Sequence, residues 1–81
     1  MLELRSKNKV VGAKQTKKAL QENRALAVYI AQDAELGVTD PIRSLCEQQG
    51  LSPTPVTTMA ELGEACELKV GAAVAAVVKG S

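Results

Sequence analysis

The residues best suited to bind a ligand lie between Val10 and Leu20, where a lysine-rich segment follows a short β-branched run and a glycine. Lys14, Lys17 and Lys18 fall in the first two turns of a predicted helix, and no acidic residue accompanies them there. The unpaired N–H groups of the first turn and the positive end of the helix dipole lie at the same place. A helix start of this kind favours the binding of anions.

Helical geometry divides this segment into two faces. At 3.6 residues per turn the three lysines share one face with Gln21, and Gln15 lies one turn before Lys18, so an amide and cationic donors can converge. The inward face is predicted to consist of Thr16, Ala19 and Leu20. A solvated helix face without a ligand remains an equally good interpretation of the lysine cluster taken alone.

Length and charge point to a single domain with one basic side. The 81 residues, 1–81, are enough for one modest core, and Tyr29 is the only aromatic residue. Residues 1–20 contain six basic residues and one acidic residue, a net charge of +5, whereas residues 21–81 contain four basic and eight acidic residues, a net charge of −4. This asymmetry favours a polyanionic partner, and the lack of aromatic residues argues against base stacking on aromatic platforms.

Few residues suit catalysis or metal binding. The chain contains no histidine, no nucleophile elbow and no phosphate loop, and helix capping and solvation explain Glu61 and Glu64 better than a catalytic pair does. Cys46 and Cys66 are too few and too widely spaced for a zinc site. We therefore expect no enzyme, no cofactor and no metal.

Compartment can also be predicted. The two cysteines are interpreted as buried thiols of a reducing compartment. The first residues lack the apolar run of a signal peptide, and the apolar stretch Val70–Val78 is about half the length that a bilayer requires. We expect a soluble cytoplasmic protein that does not bind membranes.

Hydrophobic periodicity and turn residues predict an alternation of strands and helices. Asp40 and Pro41 resemble a helix N-cap followed by proline at the first helical position, and Thr58 to Glu61 has the form of a capping box. The predicted strands are Val10–Gly12, Leu26–Ala31, Thr54–Val56 and Ala72–Val78. The predicted helices are Lys14–Asn23, a second from Asp40 to Gly50 and a third from Thr58 to about Cys66, with one or two helical turns in Met1–Ser6.

The loops and the fold class follow from these elements. Gln32–Asp40 is predicted to be a polar connector and Glu67–Gly71 a loop, while Leu51 should make a hydrophobic contact after the second helix ends at Gly50. Pro55 favours an edge position for the third strand. The alternation predicts an α/β fold, a three-layer α/β/α sandwich with a four-stranded mixed sheet.

Two segments resemble motifs of one protein family. Gly12–Ala19 resembles the G-x-[NK]-[EQ]-x-x-K-A signature of the kink-turn-binding ribosomal proteins of the L-seven-Ae type, and Leu62–Val74 resembles that family's L-G-x-A-x-x-[LI]-x-V-[AG]-A-A segment. Both occur in the right order and spacing across nearly the whole chain, which is most similar to the short bacterial members of the YbxF type. Lys14 and Gln15 differ from the Asn and Glu of many archaeal and eukaryotic members, and Glu67 replaces a frequent glycine.

The resemblance implies that the protein grips an RNA kink-turn, a sharply bent duplex flanked by tandem sheared G·A pairs. Lys14, Gln15 and Lys18 would then read guanine edges, and Lys17, Gly12 and the backbone amides of residues 13–15 would lie along phosphates. The second motif would place a loop over the extruded nucleotide of the kink; its residues are Leu68, Lys69 and Val70. The alternative for Leu68 and Val70 is that they belong to the core.

The partner implied by the resemblance is a structured RNA, in the ribosome or elsewhere, bound by a monomer. A different class of function stays open, because a fold does not fix function. The same domain could act as a protein interaction or ribosome-associated scaffold, with its basic face against an acidic partner and without specific RNA readout.

Overall fold

The computed structural model describes residues 8–79, which form four strands and three helices. In chain order these are β1 (Lys9–Val11), α1 (Ala13–Gln21), β2 (Ala25–Ala31), α2 (Leu36–Gln48), β3 (Thr54–Val56), α3 (Met59–Ala65) and β4 (Val74–Val78). The strands form one mixed sheet in the order β1-β4-β2-β3. The predicted fold class is thus confirmed, while the helical turns predicted for Met1–Ser6 lie outside the described residues.

The two faces of the sheet are covered by different helices. Side chains alternate along β2, so Val28 and Ile30 pack in one apolar cluster with residues of α1 and α2, whereas Tyr29 and Ala31 pack in the other with residues of α3. Both central strands, β2 and β4, are therefore apolar on both faces, and β4 is buried along its whole length. The result is a three-layer sandwich with α1 and α2 on one side and α3 on the other.

Helix α2 begins earlier than the sequence predicts. Its first residue is Leu36 and its N-cap is Glu35, so Pro41 lies inside the helix and Asp40 is not its cap. The buried stripe of α2 already includes Thr39, which precedes the proline. Pro41 is exposed and removes a single backbone donor, while the N–H groups of Val38 and Thr39 both donate to the Glu35 carbonyl, at 3.0 and 3.1 Å, so the first turn is hydrogen-bonded ahead of the proline. The predicted connector therefore shortens to residues 32–35.

The predicted end of α2 and the predicted start of α3 are confirmed. The N–H groups of Gly50 and Leu51 donate to the carbonyls of Glu47 and Cys46, at 3.1 and 2.8 Å, which is the Schellman pattern predicted for the end of α2. Thr58 caps α3 through a hydrogen bond of 3.1 Å from the Glu61 N–H to its Oγ1. β3 is an edge strand, as predicted from Pro55. Met59, the first residue of α3, is 36% exposed.

The two cysteines are free and lie in different layers. Cys46 belongs to the cluster under α1 and α2, and Cys66 belongs to the cluster under α3. Burial raises the pKa of both thiols above the ordinary value of 9.0, and the charges of Arg43 and Lys9 only partly offset that effect.

We expect these thiols to resist alkylation by iodoacetamide at about pH 8 in the folded protein and to react readily in concentrated urea, because the thiolate is the nucleophile.

The raised pKa of the two thiols also affects the stability of the fold. Above pH 9.0 the unfolded thiols lose their protons before the folded ones do, so the free energy of unfolding should fall as the pH rises through that value. Urea titrations at pH 7 to 10, with Cys46→Ala and Cys66→Ala as controls, measure it; a flat profile in the wild type contradicts the expectation.

Candidate nucleic-acid interface

The strand directions bring both sequence motifs to one edge of the sheet. β4 runs antiparallel to β1 and β2, and β3 runs parallel to β2. The carboxyl ends of β1, β2 and β3 and the amino end of β4 therefore lie together, and we call this side of the molecule the carboxyl edge. The starts of α1, α2 and α3 and the segment that leads into β4 all lie at this edge.

Backbone hydrogen bonds join these segments directly. The Gly12 N–H donates to the carbonyl of Val74 at 2.9 Å, which links the first motif to the second. The Ala72 N–H donates to the carbonyl of Met59 at 3.0 Å, and so connects the segment before β4 to the start of α3. The loops of the carboxyl edge are thus held in place by main-chain contacts that do not depend on exposed side chains.

The backbone N–H groups at the start of α1 have no side-chain acceptor from their own helix. Gly12 is the N-cap, with a φ of 96° that strains any residue with a Cβ, and no side chain caps this helix. The first internal hydrogen bond runs from the Thr16 N–H to the Gly12 carbonyl at 3.0 Å, so the amides of residues 13–15 precede it. No acidic residue lies in the first turn. The positive end of the α1 dipole is therefore not neutralised by its own helix.

The predicted lysine face is assembled around this start. Thr16 and Leu20 are fully buried and orient α1 so that its other side faces solvent. There the exposed polar side chains line a shallow depression of about 560 Å³, which we call the basic concavity; its residues are Lys14, Gln15, Lys17, Lys18 and Gln21. The structure thus brings four of the predicted site residues together on one surface. Their role toward RNA stays a prediction.

The loop before β4 presents apolar side chains to solvent. Leu68 is 39% exposed and Val70 is 71% exposed, and Lys69 between them is exposed too. The alternative that Leu68 and Val70 belong to the core is therefore wrong. We call residues 68–70 the apolar loop. It lies along α3, because a Cβ built on Gly63 would come within 2.0 Å of the Val70 carbonyl oxygen.

All three helices end in the same hydrogen-bonding pattern, but with different residues at the left-handed position. α1 has Asn23 there, with a φ of 57°, α2 has Gly50, with a φ of 71°, and α3 has Glu67, with a φ of 64°. The Glu67 and Leu68 N–H groups donate to the carbonyls of Glu64 and Gly63, both at 2.9 Å. Glycine and asparagine are the usual residues at this position, so only Glu67 is strained by its type.

Replacing Glu67 should separate strain from charge. We expect Glu67→Gly to raise the free energy of unfolding by about 1 kcal/mol, because glycine adopts positive φ without a Cβ penalty. Glu67→Gln is the matched control, since it removes the charge and keeps the side chain. Urea denaturation measures both. If the glycine and glutamine variants were stabilised equally, the charge of Glu67, and not backbone strain, would be what lowers the free energy of unfolding.

One contact of the carboxyl edge is absent from the sequence-based expectations. The Met59 N–H donates to Oδ1 of Asp33 at 2.8 Å, so the connector after β2 is tied to the start of α3. Aspartate favours helix starts, which is a usable signal, but the helix that it serves is 26 residues away in the chain. Together with Thr58, Asp33 satisfies the start of α3. Among the helix starts of the carboxyl edge, those of α1 and α2 have no side-chain cap.

The described part of the chain, residues 8–79, contains neither a membrane-spanning helix nor a candidate metal site. No helix in that range is long and apolar enough to cross a bilayer. No group of three or more histidine, cysteine, aspartate or glutamate side chains in that range could hold a metal ion.

The protein is a small α/β/α-sandwich domain with a basic helix start and an apolar loop at one edge. Sequence comparison identifies the family of such domains to which it belongs. The chain belongs to the ribosomal protein L7Ae/L30e/S12e/Gadd45 family, whose family model matches residues 1–81. The family predicted from the two motifs is thereby confirmed.

Individual relatives agree with this assignment. An RNA-binding protein of Caldanaerobacter subterraneus subsp. tengcongensis is 49% identical over 72 residues, which cover 89% of this chain and 88% of the relative. The RNA-binding protein YbxF of Geobacillus stearothermophilus is 37% identical over 70 residues, covering 86% and 85% of the two chains. The solved structure of a Giardia lamblia 15.5kD RNA binding protein superposes with a TM-score of 0.87 at 25% identity, covering 98% of this chain and 67% of that one. All three relatives are described as RNA-binding proteins and not as enzymes.

Proposed function

We propose that this protein binds structured RNA and stabilises kink-turns. The observation that carries the proposal is the basic concavity, an exposed group of cationic and amide side chains at a helix start that has neither a side-chain cap nor an acidic residue in its first turn. Membership of a family whose relatives are described as RNA-binding proteins supports it. The whole unit, residues 1–81, would act as a single RNA-binding domain.

The side chains of the concavity match the chemistry of guanine. Guanine presents O6 and N7 as acceptors in the major groove, and Lys14, Gln15 and Lys18 can donate to both. Regular A-form RNA keeps this groove too narrow for side chains, so only a bent or widened duplex would give access. Tandem G·A pairs beside a kink provide such a site. Selectivity for the kinked shape follows from this geometry.

A second set of donors would position the RNA without reading its sequence. Lys17 is exposed one helical turn after Ala13, on the helix whose first amides belong to residues 13–15, and the lack of a side chain at Gly12 would let a phosphate approach the backbone. These contacts are electrostatic and should weaken with salt.

The apolar loop would contact the nucleotide that the kink extrudes. An unstacked base exposes apolar faces, and Leu68 and Val70 offer apolar surface that has no partner in the core. Lys69 adds a positive charge between them. These apolar side chains would contact the base in place of an aromatic residue, because Tyr29, the only aromatic residue of the chain, is buried.

The mechanism is a population shift. A protein that binds only the kinked conformer pulls the RNA toward that conformer by the difference in affinity for the two states. The target class is ribosomal RNA or another structured RNA, and we propose that a monomer binds it. Two free, buried thiols support a reducing, cytoplasmic setting.

A binding assay tests the proposal with two RNAs that differ only in the tandem G·A pairs. We expect the intact kink-turn to bind more tightly than a control in which Watson–Crick pairs replace them, and the difference to persist as salt is raised. Equal affinity for both RNAs would contradict specific recognition. Capture of a protein partner that survives nuclease and high salt would favour a scaffold role instead.

A further inference from the structure

The basic concavity has an apolar neighbour on the other side of its lysines. A groove of about 410 Å³ runs between the first turns of α1 and α2. We call it the α1–α2 groove; it is lined by Ala13, Lys14, Lys17, Gly37, Val38 and Pro41, with the buried Ile42 beneath them. Its volume falls in the range of roughly 300 to 1,000 Å³ that is typical of sites for small organic groups.

The groove exists only because α2 begins at Leu36. Had the helix begun at Pro41, as the sequence predicts, Gly37 and Val38 would lie in a loop and would not form a wall opposite Ala13. Gly37 is exposed, and a Cβ at that position would meet no atom within 4 Å, so this wall of the groove has room for a larger side chain. Val38 is only partly buried and Pro41 is exposed, so apolar surface is available to a ligand.

Charge and continuity identify the occupant. Lys14 and Lys17 line both the α1–α2 groove and the basic concavity, so the two depressions meet at these side chains. No acidic residue lines the groove. An unpaired nucleotide combines the features that this lining complements, since its base and ribose present apolar faces and its phosphate is an anion. The carboxylate side chain of an acidic peptide would match the lysines, but it does not carry an apolar ring on the same group to contact Val38 and Pro41.

On this basis, and resting on the proposed function, we propose that the α1–α2 groove binds an unpaired nucleotide of the same RNA. This nucleotide differs from the one under the apolar loop, because the groove lies between α1 and α2 whereas the loop lies along α3, which covers the other face of the sheet. The phosphates between duplex and groove would lie at Lys14 and Lys17. The RNA would then be held on both sides of these lysines, by paired bases in the concavity and by an unpaired base in the groove.

The test changes the lining of the groove and leaves both lysines in place. Gly37→Met adds a long, flexible apolar side chain at the wall of the groove, where a Cβ would meet no atom within 4 Å, and methionine favours the helix more than glycine does. Gln48→Met is the matched control, because Gln48 is an exposed residue at the far end of the same helix. Both variants are measured against a kink-turn RNA and against versions in which each unpaired nucleotide in turn is made abasic.

We expect Gly37→Met to weaken binding of the intact RNA about three- to tenfold, toward the lower end of what one stacked base contributes. Gln48→Met should bind like the wild type. One abasic RNA should show the same loss with the wild type and no further loss with Gly37→Met, because the variant and the missing base affect the same contact. Methyl resonances of Val38 and Ile42 should shift when the intact RNA is added to the wild type, and not with that abasic RNA.

Two outcomes would overturn the inference alone. In the first, Gly37→Met binds the intact kink-turn as tightly as the wild type. In the second, it loses the same factor on every abasic RNA as on the intact one. In either case the wild type would still prefer the kink-turn over the control without G·A pairs. A wild type with no such preference would contradict the proposed function, and the inference would fail with it.

Discussion

Lys18→Ala is expected to weaken binding of a kink-turn RNA by about 1 to 3 kcal/mol, or roughly 5- to 150-fold in Kd, and to relax the preference for guanine at the contacted position. Lys18 is exposed on the basic concavity, within reach of the same surface as Gln15. A base contact discriminates among sequences, so its loss should reduce the difference between the intact RNA and an RNA with the guanine replaced. Fluorescence anisotropy with both RNAs measures this.

Lys17→Ala is the matched control on the same helix. We expect it to lower affinity for all RNAs similarly and to reduce the slope of log K against log salt by about one unit, because it removes one phosphate contact. Neither variant should alter the fold, since both side chains are exposed. If Lys17→Ala instead relaxed guanine preference while Lys18→Ala changed only the salt slope, our division between base contact and phosphate contact would be reversed.

Gly63→Ala is expected to have the largest effect on the fold itself. A Cβ at Gly63 would come within 2.0 Å of the Val70 carbonyl oxygen and 3.0 Å of the Gly71 Cα, and both are backbone atoms that cannot rotate away. We expect a loss of about 3 kcal/mol in the free energy of unfolding, the size typical of forced overpacking. The apolar loop must move to relieve the clash. Kink-turn affinity should therefore fall as well, even in the molecules that remain folded.

Gly37→Ala is the matched control for Gly63→Ala, because both replace a helical glycine by alanine. Gly37 also lies in a helix, but its added Cβ would meet no atom within 4 Å, so we expect a gain of up to about 1 kcal/mol from helix propensity. Urea denaturation of the two variants, with circular dichroism to confirm the fold, measures the difference. Similar stabilities for Gly63→Ala and Gly37→Ala would show that the contact between α3 and the apolar loop is looser than the structure has it.

Short-range patterns were enough to predict most elements and the lysine face. The continuous apolar run of β2, the capping box at Thr58 and Gly50 at the end of α2 each act within a few residues, where local hydrogen bonds and side-chain type decide the conformation. The grouping of Lys14, Gln15, Lys17 and Lys18 follows from helical geometry alone. These features depend on neighbours in the chain, and the sequence lists those neighbours directly.

The features that the sequence did not reveal depend on partners far along the chain. The start of α2 at Leu36 places Thr39 in the buried stripe of the helix, against the local preference for proline in a first turn. Asp33 finds its partner at Met59, and Gly63 finds its neighbour across the loop that returns to β4. The same strand order brings the uncapped start of α1 beside Val74. The sequence determines which residue types are present and how they are spaced. The pairing of β4 between β1 and β2 determines which of them meet at the carboxyl edge, because only that pairing brings the two motifs together.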